Sequence, residues 1–131
     1  MSIIGNLRAS KYTRMAKHLQ QGKRAELAAA RFLQQSGYGI RERNYRNGKA
    51  EVDLIVQRGL FLVFVEIKSL RNTKHGHPEE RIGRTKTALF HQAAASYQEE
   101  ENWGKEIRFD SIAITFFPQA IKIEHFEDAF S

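Results

Sequence analysis

The sequence of 131 residues contains no cysteine, so it has neither disulfides nor a thiolate zinc site. It has no apolar run approaching the ~20 residues needed to cross a bilayer. Its N-terminus is basic, but no apolar core of a secretion signal follows. It has no internal repeat, low-complexity stretch or second-domain break. Its two prolines, Pro78 and Pro118, fall in loop-like sequence. These absences predict one domain, cytoplasmic and without a membrane partner.

What is present is a sizeable apolar fraction, 41%, and a net charge of +6. The charge is unevenly placed. Residues 1–24 hold six bases and no acid, and residues 41–86 hold eleven bases and six acids. Residues 99–131 hold three bases and eight acids. A basic side suits a polyanion, and nucleic acid is the commonest one; basic surfaces also serve solubility.

Residues 1–21 read as a basic N-terminal segment, helical from about residue 10, where Tyr12, Met15 and Leu19 have helical spacing. Residues 22–131 read as the single folded domain. Gly22 kinks the first helix or separates two helices. Residues 23–35 are strong helix formers, and Ser36-Gly37 stops them. Glu26 shares a helix face with Ala29, Ala30 and Leu33, pointing inward; a first-turn glutamate favoured by the helix dipole is the alternative. Strands are expected at 38–45, 51–57, 60–68, 107–117 and 120–126, with a second helix at 85–100. A helical crossover between the third and fourth strands makes that pair parallel. The fold class is therefore α/β, a mixed five-stranded sheet flanked by helices.

The stretch Glu51–Lys68 carries the chemistry. An Arg58-Gly59 turn would pair Gln57 with Leu60, Asp53 with Phe64 and Glu51 with Glu66. Glu51, Asp53, Glu66 and Lys68 then project from one face. Three acids on a core face are costly, and a hard divalent cation, Mg²⁺ or Mn²⁺, resolves the conflict. The alternative places one glutamate at a strand end, in solvent, paired with Lys68. His75 and His77 lie in a polar loop without a third ligand of matching type nearby.

Asp53, twelve intervening residues and then Glu66-Ile67-Lys68 resemble the PD-(D/E)xK nuclease motif. GKRAELAAARFLQQSGYGIRERNYR (22–46), AEVDLIV (50–56), LVFVEIK (62–68), RTKTALFHQAAASY (84–97), RFDSIAI (108–114) and EDAF (127–130) resemble the small bacterial YraN-like proteins, which are similar to Holliday-junction resolvases. Ala50 stands where that family usually has glycine. The resemblance implies a restriction-endonuclease or resolvase-like fold and metal-dependent hydrolysis of branched or structured DNA. It implies metal ligation by Asp53, Glu66 and the carbonyl of Ile67, assisted by Glu26 or Glu51, with Lys68 acting on the attacking water or the phosphate. Arg41, Arg43, Arg46, Lys86, Lys23 and Arg24 would grip the DNA backbone. The alternatives are a nucleic-acid-binding module that does not cleave and a subunit working with a DNA repair or recombination partner, such as a helicase. A homodimer is a further expectation, through Phe116, Phe117, Phe126 and Phe130, unless these are core.

Overall fold

The computed structural model describes residues 20–71 and 84–129. Helix α1, residues 20–35, leads into a meander of β1 (Gly39–Asn47), β2 (Ala50–Arg58) and β3 (Phe61–Arg71). Helix α2 (Arg84–Glu100) follows, then β4 (Glu106–Phe117) and β5 (Ala120–Phe126). The five strands form one sheet in sequence order. All neighbours are antiparallel except β3 and β4, which run parallel over eleven consecutive pairs from Phe61–Glu106 to Arg71–Phe116. A parallel pair needs a long crossover, which α2 supplies. The mixed α/β sheet expected from the sequence is the observed architecture.

One helix covers each face. Ala25, Ala29, Ala30 and Leu33 of α1 pack on Leu54, Val56, Val63, Val65, Ile112 and Ile114. The alanines let the helix lie close to the sheet. Phe90, Ala93, Ala94 and Tyr97 of α2 pack on Ala50, Val52, Ile55, Leu62 and Phe64. Burying each large apolar side chain stabilises the fold by about 1.5–3 kcal/mol, and β2 and β3 hold most of those with full burial. Ala50 fills the α2-side core with its methyl, so the departure from glycine is accommodated.

Residues 20–22 are already helical, so Gly22 does not divide the described helix. Helix α1 ends at a Schellman-type cap: Tyr38 N–H donates to Leu33 O at 2.9 Å and Gly37 N–H to Gln34 O at 3.1 Å. Gly37 has φ 93°, the left-handed region that favours glycine. The expectations for Tyr12, Met15, Leu19, His75, His77 and Phe130 lie outside the described residues.

The β2–β3 turn differs from expectation. Arg58 pairs with Phe61, so the loop is Gly59-Leu60 and the register moves by two residues. Phe64 lies opposite Ile55, not Asp53. Counting on from Leu54–Val65 puts Asp53 level with Glu66. Gly59 takes φ 59° at the first loop position, the place a type II′ turn gives to glycine.

Candidate active site

Asp53 sits inside β2, at the point where its pairing with β3 ends. On the β1 side the pairs are Arg43–Leu54 and Tyr45–Val52, leaving Asn44 and Asp53 between them. Asn44 has φ 52°, a left-handed conformation that asparagine tolerates better than most residues. Val52 belongs to the α2-side core and Leu54 to the α1-side core, although an uninterrupted strand would give them one face. The strand therefore changes phase at Asp53. On the β3 side, Leu54–Val65 is the last of the paired residues in this direction. Beyond it the Asp53 carboxylate replaces the strand–strand bond: Ile67 N–H donates to Asp53 Oδ2 at 2.7 Å.

That hydrogen bond joins Asp53 to the peptide whose carbonyl belongs to Glu66. Asp53 also lines a crevice of about 90 Å³ with Gly22, Ala25, Glu26, Ile67 and Ser69. The crevice is on the α1 side. Glu26 is more than one turn inside the described helix, so it is not a first-turn residue held by the helix dipole. The arrangement brings together Asp53, Glu26, the Ile67 backbone and the Ser69 position.

Glu66 lies beside this group on the next layer. It is 2% exposed, and neither carboxylate oxygen reaches solvent. Strand β3 keeps an unbroken register with β4, so Glu66 and half-buried Lys68 carry the phase of Phe64. Phe64 packs on Tyr97 of α2, with ring centroids 6.2 Å apart. The expected single face for Glu51, Asp53, Glu66 and Lys68 is thus replaced by two layers meeting at the Glu66–Ile67 peptide. The cause is the phase change at Asp53. Glu51 is not in the crevice; its carboxylate is 3.6 Å from Arg46 at the exposed sheet rim.

The basic residues divide into two kinds. Lys23, Arg24, Arg43 and Arg46 are exposed; Arg24 also covers the Phe116 ring, 5.2 Å from its centroid. Arg41 is engaged within the chain. Its Nε donates to Tyr97 Oη at 2.9 Å, its Nη1 donates to Gln57 Oε1 at 2.8 Å, and Glu101 lies 3.8 Å from Nη2. The hydrogen bond to Tyr97 is the main cause of a raised Arg41 pKa, while burial raises that of the Tyr97 hydroxyl. Arg41 thereby ties β1 to the last turns of α2. Lys86 is in the first turn of α2, but its side chain lies outside the described residues.

Sequence reasoning missed a second polar group, on β4. Asp110 is fully buried. It accepts from Arg108 Nε and Nη2, both at 2.8 Å, and from the Asp128 amide at 3.1 Å. His125 Nε2 lies 2.7 Å from Asp110 Oδ2, and Arg108 Nη2 donates to Tyr38 Oη at 2.6 Å. Burial pushes the Asp110 carboxyl up, but bonds with His125, Arg108 and the Asp128 amide prevail and hold it below the usual carboxylate value. The bonds to Asp110 raise the Arg108 pKa. The signal in the sequence was the alternating RFD of β4 together with the terminal EDAF.

Among the described residues no helix is long and apolar enough to cross a membrane. Nor do three His, Asp or Glu side chains gather there into a ready cation-binding group.

A family model described as "Uncharacterised protein family UPF0102" matches residues 25–114. A UPF0102 protein of Flavobacterium psychrophilum is 40% identical over 116 residues, covering 88% of this chain and 98% of its own. One from Cytophaga hutchinsonii is 39% identical over 99 residues, 76% of this chain and 88% of its own. One from Syntrophus aciditrophicus is 36% identical over 118 residues, 89% and 93%. The matched region takes in Glu26, Asp53, Glu66, Lys68 and Asp110: the chain belongs to the UPF0102 (YraN) family.

Proposed function

We propose that the chain is a metal-dependent endonuclease that hydrolyses phosphodiesters in branched or structured DNA. One observation carries the reading: the Asp53 carboxylate, fixed by the Ile67 amide, faces a crevice that Glu26 also lines. Two carboxylates, the Ile67 carbonyl and the Ser69 hydroxyl are hard oxygen donors. Mg²⁺ or Mn²⁺ is commonly held by one or two carboxylates, with waters and substrate phosphate oxygens completing the shell. The donor set fits such an ion without a third acid.

In this reading Asp53 and Glu26 hold the ion, and Glu66 supports it from the other side of the Ile67 peptide. When bound, the ion polarises the scissile phosphate and lowers the pKa of an attacking water. Lys68 stands on the Glu66 layer, so in this reading the phosphate reaches it past the Glu66–Ile67 peptide, and Lys68 stabilises charge there. Lys23, Arg24 and Arg43 hold the DNA backbone. Backbone contacts carry little sequence information, which favours recognition of DNA shape.

A second reading is a binding module that keeps the fold without cleaving. It is favoured by the lack, among the described residues, of a gathered three-ligand group. Cleavage of labelled four-way junctions in Mg²⁺ or Mn²⁺ separates the two. Metal-dependent cutting that Asp53→Ala and Lys68→Ala abolish supports the nuclease. Salt-sensitive binding without cutting, across branched and linear substrates, supports the module. Absence of both leaves neither.

A further inference from the structure

The two edges of the sheet are built differently. Strand β1 is irregular: its pairing shifts between Ile40 and Glu42, and Asn44 is left-handed. Such breaks hinder a new strand from adding at an edge. Strand β5 has no such break. It pairs with β4 over seven consecutive residues, Phe126–Ser111 to Ala120–Phe117. Beyond β5 the chain turns, with Asp128 left-handed at φ 54°, and the Asp128 and Ala129 amides bond Asp110 Oδ1 and Phe109 O. Among the described residues, the other backbone edge of β5 has no neighbouring strand.

Exposed apolar side chains gather at this edge. Ile121 and Phe126 are each 43% exposed, and Phe117, opposite Ala120, is 38% exposed. Ile121 and Ile123 also form one wall of an open groove of about 260 Å³, whose other wall is Ala28, Arg31, Phe32 and Gln35 of α1.

We infer that β5 is a self-pairing edge that joins a second copy of this chain by antiparallel addition about Ile123. The occupant follows from charge and shape. Natural edges are often blunted by charged side chains, Lys especially, whereas directly opposed charges of opposite sign stabilise a strand pair. Here Lys122 and Glu124 share one face and alternate in sign, with Lys122 Nζ 3.6 Å from Glu124 Oε1. A two-fold axis at Ile123 sets Lys122 opposite the partner subunit's Glu124, and Glu124 opposite the partner subunit's Lys122. It also sets Ala120, the smallest side chain of the strand, opposite the partner subunit's Phe126, the largest of its apolar ones. Ile123 meets its own counterpart, and Ile121 meets the partner subunit's His125. Shifting the axis by one residue to Lys122 or Glu124 would oppose like charges at the centre. Both sheets become one ten-stranded sheet, and the exposed Ile121 is covered.

The pairing is independent of whether the Asp53 crevice cleaves DNA. Sedimentation velocity between about 1 and 100 μM, with circular dichroism as the control for folding, tests it. Wild type sediments as a dimer at the upper end. Lys122→Glu and Glu124→Lys each place like charges opposite one another twice. Each therefore weakens the dimer by at least about tenfold. Lys122→Glu combined with Glu124→Lys restores opposite charges and the dimer. A wild-type monomer at 100 μM overturns the inference. So does a dimer that neither single reversal weakens, because it must use another surface. Failure of the double variant to recover while remaining folded overturns the register about Ile123.

Discussion

Ile67 N–H donates to Asp53 Oδ2 at 2.7 Å, bridging β2 and β3 at the point where their main-chain pairing ends. A side chain has taken the place of a backbone acceptor. The carboxylate is therefore fixed in position by the sheet itself, while Glu26 reaches the same crevice from α1. This is the preorganisation that a metal or phosphate site needs.

Asp53→Asn keeps an acceptor for Ile67 but removes the charge. It should leave the melting temperature within a few degrees of wild type and abolish metal-dependent cleavage. DNA binding in the absence of metal should hold or strengthen, because negative charge has left the site. Electrophoretic mobility shift in EDTA and cleavage in Mn²⁺ read the two effects separately.

The exposed bases should behave differently from Arg41. Lys23→Ala, Arg24→Ala or Arg43→Ala should lower the slope of log K against log salt by about one unit for each phosphate no longer neutralised. Arg41→Ala should leave that slope unchanged. It should instead destabilise the fold by about 1.5–3 kcal/mol, the range for hydrogen bonds to a charged group. Chemical denaturation and a binding titration at several salt concentrations check this pair of outcomes.

Asp110 predicts acid sensitivity. Its carboxyl is held below the usual value, so the folded state binds its proton less readily than the unfolded chain. That stabilisation is present above the unfolded value of about 4 and is lost as pH falls through the lower folded value. Wild type should lose stability steeply below about pH 4. Asp110→Ala breaks a buried ion pair and should cost about 3–5 kcal/mol at neutral pH. Part of the acid-dependent loss should then disappear from a melting-temperature profile taken between pH 3 and 7.

Gly59→Ala isolates the turn. Open space surrounds the position, so only the backbone strain at φ 59° is tested. A loss of about 1–2 kcal/mol is expected by urea denaturation, with no change in DNA binding.

The elements themselves were legible because each carries its own period or punctuation. Strand β2 forms where its alternation predicts it, although Val52 and Leu54 end on different faces, while the apolar β3 and the Leu89–Ala93–Tyr97 stripe of α2 fold as their patterns direct. The turn at Gly59 was legible only as a turn. Glycine announces a positive φ, but not which loop position takes it, and a shift by one position moves the register by two. The phase change at Asp53 has no local signal beyond Asn44, whose left-handed conformation appears only once β1 and β2 are paired. Arg108 and Asp110 are neighbours on β4, but His125 and above all Tyr38 are distant in sequence, so no window joins the whole group. Glu26 allows two readings because residues alone do not fix where its helix starts. Arg41 resembles any other surface base, since its partners Tyr97 and Glu101 belong to a distant part of the chain.

The closing of the Asp110 group by His125 and the Asp128 amide has a consequence for synthesis. A ribosome delivers β4, with its inward-facing carboxylate, well before it delivers residues 125 to 128. Until then Asp110 lacks two of the partners that offset its burial, and the completed sheet is disfavoured. The nascent domain should therefore mature in one late step once the segment after β5 has left the exit tunnel. A chain stopped before His125 should remain protease-sensitive although most of its apolar core residues have already been made.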